Sequence, residues 1–370
     1  MNKIKILYIV SNLKRCGPIN ILYNLIKYID KEKYEIYIVS LSPEVENTRT
    51  NEFKELKCKI YNLELNRIKT ILAKKYILKI IKDNKIDIIH SHGLRADIIN
   101  SKLKKYNTIS TLHNYPYYDY TMAYGNKLGL LISKIHLKVL SKIDTVCGCS
   151  KSIKSMLYEY KKIEIDYVQN GVDTQIFKPI NENEKNKIRE KLNISKDKII
   201  FIVIGEFNLR KNTSIIIESF NLRKKDNEIL LFLGDGKLLE TNKLLAKENK
   251  NIIFAGRVEN VEDYLKCSDY YISASLAEGL PNSVLEALAT GIPCILSKIL
   301  PHEEILNNTN QIFNPNDKQE LLNTIEYITK QNSKQLRKES ILTIHKNLNA
   351  KSMATNYSTK YQLLKEGCDS

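Results

Sequence analysis

Short apolar runs alternate along the chain with segments whose apolar positions recur every three to four residues. Ile4 to Val10 is a strand-length apolar run, followed by a turn with Gly17 and Pro18 and an amphipathic stretch from Ile19 to Ile29. Pro18 suits the first turn of that helix. Tyr34 to Leu41, Ile86 to His90, Thr108 to Leu112 and Thr145 to Gly148 read as further strands, with helical patterns between them. A second series has strands at Ile199 to Ile204, Leu230 to Leu233, Asn251 to Ala255, Tyr270 to Ser273 and Ile292 to Leu296. Strands alternating with helices predict right-handed crossovers and parallel sheets, an α/β architecture of two doubly wound, Rossmann-like domains.

Asn170-Gly171-Val172-Asp173 is the expected boundary, because Asn-Gly is a strong turn signal. The first domain is expected over 1–172 and the second over 173–349. The 370 residues suffice for two full cores, and 43% apolar with 27% charged residues is an ordinary globular composition. The seven cysteines are scattered, and Cys147-Gly148-Cys149 has neither zinc nor redox spacing. A reduced, cytoplasmic protein without a disulfide framework is expected. The N-terminus lacks a signal-peptide pattern. No run is long enough to span a bilayer, and the best candidate, Leu128 to Leu140, is interrupted by Lys134 and Lys138.

Charge is uneven. Residues 1–170 hold 30 Lys and Arg against 16 Asp and Glu, whereas 171–370 hold 28 against 26. A basic first half suits an anionic membrane surface or a phosphate-bearing acceptor, and equally a merely soluble basic face. Nucleic acid is not favoured, since no binding motif accompanies the charge.

The chemistry concentrates between Ser268 and Ser297. A short strand leads into a loop with Gly279 and Pro281. A helix then starts near Asn282 and stops at Gly291, and a buried strand follows. A helix N-terminus opening at the carboxyl end of a parallel strand is an anion site, for phosphate above all. Glu278 and Glu286, with seven residues between them, bracket that helix start. Carboxylates beside a bound diphosphate would address flanking hydroxyls, which is how a nucleotide sugar is built. The plainer reading is a pair of solvated helix-end charges.

This segment resembles the donor-site motif of retaining glycosyltransferases of family 4, which have the two-domain GT-B fold with a cleft between the domains. The resemblance covers nearly the whole chain and is strongest from Asn170 to Ser297. It includes Asn170-Gly-Val-Asp173…Phe177-x-Pro179 and Gly234-Asp235-Gly236. It implies that Glu278 lies by the donor sugar and Glu286 binds the ribose. The stretch Gly279, Leu280, Pro281, Asn282, Ser283 and Val284 would hold the diphosphate, with backbone N–H groups from all but Pro281, and Val258 would lie beside the base. A glycine loop at Gly17 approaches the diphosphate in the family, which commonly has two glycines where this chain has one. His113 matches a family histidine that touches the transferred sugar, whereas His90 reads as structural. Lys211 matches the family lysine that neutralises diphosphate. Glu206 stands where the family usually has Arg. Arg210 is the candidate replacement, or else Glu206 marks a different donor contact. Tyr115 to Tyr120 is expected either to stack on acceptor sugar rings or to form a lid. The last 20 or so residues, 350–370, would return to the first domain as a helix.

The implied activity is transfer of a hexosyl or N-acetylhexosaminyl unit from a nucleotide-diphosphate sugar to an acceptor hydroxyl, with retention. The expected mechanism needs no cofactor and no metal. The expected acceptor is a lipid-linked saccharide of capsule, exopolysaccharide or lipopolysaccharide assembly, at the inner face of the membrane. The rivals are a nucleotide-sugar epimerase of the same fold and a non-catalytic sugar-nucleotide-binding scaffold, the latter suggested by Glu206.

Overall fold

The computed structural model describes residues 3–66, 70–247, 249–306 and 308–366, so the last four residues of the expected terminal helix lie outside the described residues. The chain divides into two units, Met1–Gly171 with Ala350–Ser370, and Val172–Asn349.

In the first unit the order is β1 (Ile4–Val10), α1 (Gly17–Tyr28), β2 (Tyr34–Ser40), α2 (Thr50–Glu55), β3 (Lys59–Asn62), α3 (Thr70–Asn84) and β4 (Ile88–His92). It continues with α4 (Leu94–Asn100), β5 (Asn107–Leu112), α5 (Pro116–Tyr124), α6 (Asn126–Leu140), β6 (Thr145–Gly148), α7 (Lys151–Lys161) and β7 (Asp166–Tyr167). The second unit has α8 (Glu182–Lys191), β8 (Ile199–Ile204), α9 (Thr213–Arg223), β9 (Glu228–Leu233), α10 (Leu239–Leu245), β10 (Ile252–Phe254) and α11 (Val261–Cys267). It closes with β11 (Tyr270–Ser273), α12 (Asn282–Ala289), β12 (Cys294–Ser297), α13 (Leu300–Ile305), β13 (Ile312–Phe313), α14 (Lys318–Thr329) and α15 (Ser333–Asn347). A last helix, α16 (Ala350–Glu366), belongs to the first unit.

Both sheets are parallel throughout. Their orders are β3-β2-β1-β4-β5-β6-β7 and β10-β9-β8-β11-β12-β13. The order reverses between β1 and β4 in one sheet and between β8 and β11 in the other. In open sheets of this kind ligands bind beyond the strand ends at such a reversal. The central strands are continuous apolar runs because helices cover both faces. Three short strands, β3, β7 and β13, had no such run to announce them.

α16 lays Met353, Ala354, Tyr357 and Tyr361 into the core formed by β1, β2 and α1. Its tyrosine hydroxyls find partners there. Tyr361 bonds Tyr8 and His90 Nδ1, each at 2.8 Å, and Tyr357 bonds Thr111 at 2.6 Å. His90 Nε2 also bonds Thr111. Burial pushes the His90 imidazole down to about 3, with His113 adding to the effect. His90 is therefore a neutral, satisfied core residue, as its structural reading required. The cysteines among the described residues form no disulfide.

Candidate active site

In the second unit the loops after β8 and β11 meet at the sheet's reversal point. The first loop begins at Gly205, where an added Cβ would come within 2.9 Å of the Lys211 side chain, so the absent side chain lets Lys211 lie across it. Asn208 caps the short turn Leu209–Lys211 by accepting from the Lys211 N–H. The backbone then ties the loops together, since Leu276 N–H donates to the Arg210 carbonyl at 2.8 Å.

This geometry brings Glu278 onto two cations. Its carboxylate accepts from Arg210 Nη1 at 2.5 Å and Lys211 Nζ at 2.7 Å, with Ser275 Oγ donating at 2.8 Å. Glu278 is buried. Burial alone would raise its pKa, but the charges of Lys211 and Arg210 outweigh burial and hold the carboxyl well below the usual range. The site therefore keeps one carboxylate ionised between two cations, a net positive spot.

α12 opens next to this cluster. Its cap residue, Pro281, makes no side-chain hydrogen bond to the first turn. Beneath it the buried Tyr271 donates to Ser283 Oγ at 2.8 Å. Burial raises the Tyr271 phenol, and the Glu278 and Glu286 charges raise it further, so both glutamates lie within electrostatic reach of the helix start. Gly279, Leu280, Pro281 and Val284 are buried, while Asn282, Ser283 and Glu286 are half-buried.

Sequence reasoning missed a second layer. Ser297 Oγ donates to the Ser275 carbonyl at 2.6 Å, and His302 Nδ1 lies 2.9 Å from the Ser297 carbonyl. A carbonyl only accepts, so Nδ1 carries the proton. Burial lowers His302 to about 4, and its buried Nε2 has no partner among the described residues. The chain His302–Ser297–Ser275–Glu278 braces the carboxylate. No spacing rule announces it, because its members come from a strand end, a loop and a helix.

Glu206 takes no part in this cluster. It is exposed and accepts only from Asn208 Nδ2 among the described contacts. Arg210 sits on Glu278 in its stead. Val258 lies half-buried in the loop between β10 and α11.

In the first unit, the strand ends beside that sheet's reversal carry His92 and His113. His92 Nδ1 and His113 Nε2 are 2.9 Å apart. Burial lowers both: His113 falls to about 4 despite the opposing charge of Asp97, and His92 falls well below the ordinary value. His92 Nε2 is buried without a partner among the described residues. An orphaned buried acceptor is tolerated better than an orphaned N–H. His92 Nδ1–H therefore donates, and His113 keeps its own proton on Nδ1. Gly17 is the exposed first residue of α1. Tyr115 to Tyr120 leads into and opens helix α5. Pro116 starts α5 there, Tyr115 packs edge-on against Tyr118 with ring centres 5.0 Å apart, and Lys161 covers the Tyr117 ring. A proline in the first helical turn and mutual ring packing favour the helix here.

Two parallel Rossmann-like units, one carrying a cation-clamped carboxylate beside the start of α12, have the architecture of the GT-B fold. The family model for Glycosyltransferase Family 4 matches residues 17–176, and that for Glycosyl transferases group 1 matches 184–341. The chain belongs to the family 4 glycosyltransferases of the GT-B class. It is 25% identical to the O-antigen biosynthesis glycosyltransferase WclY of Escherichia coli over 371 residues, 97% of this chain and 98% of that protein. It is 25% identical over 259 residues, 66% of each, to the E. coli UDP-Gal:alpha-D-GlcNAc-diphosphoundecaprenol alpha-1,3-galactosyltransferase. The Anabaena HepE structure, in complex with UDP and glucose, superposes with a TM-score of 0.81 at 13% identity, covering 97% of this chain and 99% of that one. Among the described residues, no helix is long and apolar enough to cross a membrane, and no group of His, Cys, Asp and Glu could hold a metal ion.

Proposed function

We propose that this glycosyltransferase moves a hexosyl or N-acetylhexosaminyl unit from a nucleotide-diphosphate sugar to a hydroxyl of a lipid-linked saccharide in surface-polysaccharide assembly, with retention of anomeric configuration. One observation carries the proposal: Glu278 stays ionised between Arg210 and Lys211, beside the start of α12. Breaking the bond from the anomeric carbon to the diphosphate leaves charge on the departing oxygen. Arg210, Lys211 and the α12 backbone are the groups to receive it. Glu278 orients the sugar, Glu286 accepts from the ribose hydroxyls, Val258 flanks the base, and His113 donates from Nδ1 to a sugar oxygen. The backbone from Gly279 to Ser283, apart from Pro281, which has no N–H, and that at Gly17 serve the diphosphate. The names of the two E. coli relatives support the polysaccharide setting and the diphosphate-lipid acceptor.

The test is a melting-temperature screen against UDP-, GDP-, ADP- and dTDP-sugars. A transfer assay to a detergent-solubilised polyprenyl-diphosphate-linked N-acetylglucosamine follows, with product anomer assigned by NMR. Stabilisation by one donor and an acceptor-dependent product of unchanged anomeric configuration are expected. Conversion of the donor without acceptor, or an inverted product, overturns the reading.

A further inference from the structure

Three histidines of the first unit form one array at the carboxyl ends of β4 and β5. His90 and His92 are two apart on β4, so they share a face of the sheet. Their rings stack with centres 4.5 Å apart. His90 cannot turn, because Tyr361 holds one ring nitrogen and Thr111 the other. His92 therefore rests on a fixed plate. His113 lies just beyond β5, where Thr111 pairs with His92, and the carbonyl of His113 accepts from Cys149 Sγ at 3.2 Å. The His92 and His113 rings meet edge to edge, with centres 5.1 Å apart and planes 27° apart, so the 2.9 Å contact between Nδ1 and Nε2 is close to in-plane.

Two neutral rings can share that bond in two ways. Burial keeps both neutral, since desolvation lowers the pKa of each. If His113 donated, His92 would bury a bare N–H at Nε2, and His113 would present a lone pair at Nδ1. If His92 donates, its Nε2 is a bare acceptor, and His113 Nδ1 carries the proton. His92 is 6% exposed, and its Nε2 has no partner among the described residues. A buried orphan acceptor is the less costly of the two. His113, by contrast, is half-buried, and its Nδ1 makes no hydrogen bond among the described residues. Alone, His113 could carry its proton on either nitrogen. The pair leaves its one unsatisfied buried atom on the inner ring and so puts an N–H on the outer one.

We infer that His92 is a positioning residue for the transfer: its Nδ1–H, aimed by the plate of His90, holds His113 in the one tautomer and ring orientation that present Nδ1–H to the sugar. The inference rests on the role proposed above for His113 and adds a residue that itself touches no substrate. The tautomer is read without donor or acceptor, so its failure and a failure of the transfer assay are separate results.

The experiment begins with nitrogen NMR of the full chain, isotope-labelled at its six histidines, which single substitutions assign. His113 should show a protonated Nδ1 and a bare Nε2, the latter coupled across the hydrogen bond to His92 Nδ1. In the transfer assay His92→Phe, which keeps a flat ring on His90 without a donor, should lower kcat roughly tenfold or more, with the donor KM within about twofold. His92→Asn, whose amide N–H can take the place of Nδ1–H, should return kcat to within about threefold of wild type. On a His113→Ala background, His92→Phe should cost no further rate, because it acts only through His113. Melting temperatures identify any variant that misfolds, and the NMR result decides if His92→Phe does. The inference is overturned if His113 holds its proton on Nε2, if His92→Phe transfers as fast as wild type, if His92→Asn is no better than His92→Phe, or if His92→Phe slows His113→Ala further.

Discussion

Replacing Glu278 by Gln should separate two quantities that usually fall together, stability and ligand affinity. The substitution keeps the side-chain volume and an oxygen that can accept from Ser275. It removes the negative charge lying 2.5 Å from Arg210 and 2.7 Å from Lys211. Stranding a fully buried partner costs about 3–5 kcal/mol. Here the side chains of Arg210 and Lys211 keep 22% and 14% exposure, and two hydrogen bonds can persist, so about 2 kcal/mol is the better figure. For a unit of this size that is a fall of roughly 4–8 °C in melting temperature. The same substitution removes the negative charge that Glu278 sets against two cations, where the diphosphate is proposed to sit. A unit charge about 7 Å away in a medium of effective dielectric about 20 contributes about 2 kcal/mol, reduced by salt to about 1 kcal/mol. The variant should therefore bind the free nucleoside diphosphate about fivefold more tightly than wild type, while transfer drops by roughly a hundredfold or more. Calorimetric titration with the diphosphate of the preferred donor, paired with thermal melts, measures both. The pH dependence has a definite sign. The folded-state pKa of Glu278 lies below its ordinary 4.5. Its contribution is then complete above about pH 4.5 and fades as pH falls towards the folded value, so the gap between wild type and variant should narrow only in acid. Loss of diphosphate affinity in step with stability, or full transfer activity, would refute the reasoning.

Acid should unfold the first unit before the second. Buried His90, His92 and His113 in the first unit, and His302 in the second, all have lowered pKa values, so each loses about 1.4 kcal/mol of stability per pH unit below about 6.5. Scanning calorimetry between pH 7 and about 5 should show the first unit losing roughly 6 kcal/mol against about 2 for the second, and equal shifts would contradict this. Gly234→Ala should cost about 3 kcal/mol or more, because φ is +141° and the new Cβ would fall 1.9 Å from the Gly205 carbonyl oxygen. Since Gly205 underlies Lys211, a denaturant melt of this variant should be matched by weaker diphosphate binding. Tyr361→Phe strips partners from Tyr8 and His90 together and should lower the first unit's stability by about 2–3 kcal/mol, leaving the second unit's transition in place.

The central strands were legible because parallel strands covered on both faces must be apolar along their length, as in Ile4–Val10 and Ile199–Ile204. The helix of the donor segment was legible from Pro281 and Gly291 at its ends. Edge strands were not. Lys59–Asn62 and Asp166–Tyr167 carry polar residues that an edge permits. α5 escaped notice because its tyrosines pack on one another and give it almost no amphipathic period. Within the site, single residues such as Glu278 and Lys211 stood out by motif. Their ion pair spans 67 residues of sequence and follows only from the meeting of two loops at the sheet's reversal. Ser297, at a strand end, and His302, in the helix that follows, carried no motif until the fold placed them in one hydrogen-bonded chain.

The seat of Tyr357 and Tyr361 in the first unit has a consequence for how the molecule is made. All of Val172–Asn349 leaves the ribosome before Ala350 does. The second unit is contiguous and can finish folding during synthesis. The first must wait, with Tyr8, His90 and Thr111 wet and an apolar trough open beside α1, until the final helix emerges. A chain stalled or clipped near residue 349 would thus display half of itself as a standing target for chaperones and proteases, whatever the condition of its donor site.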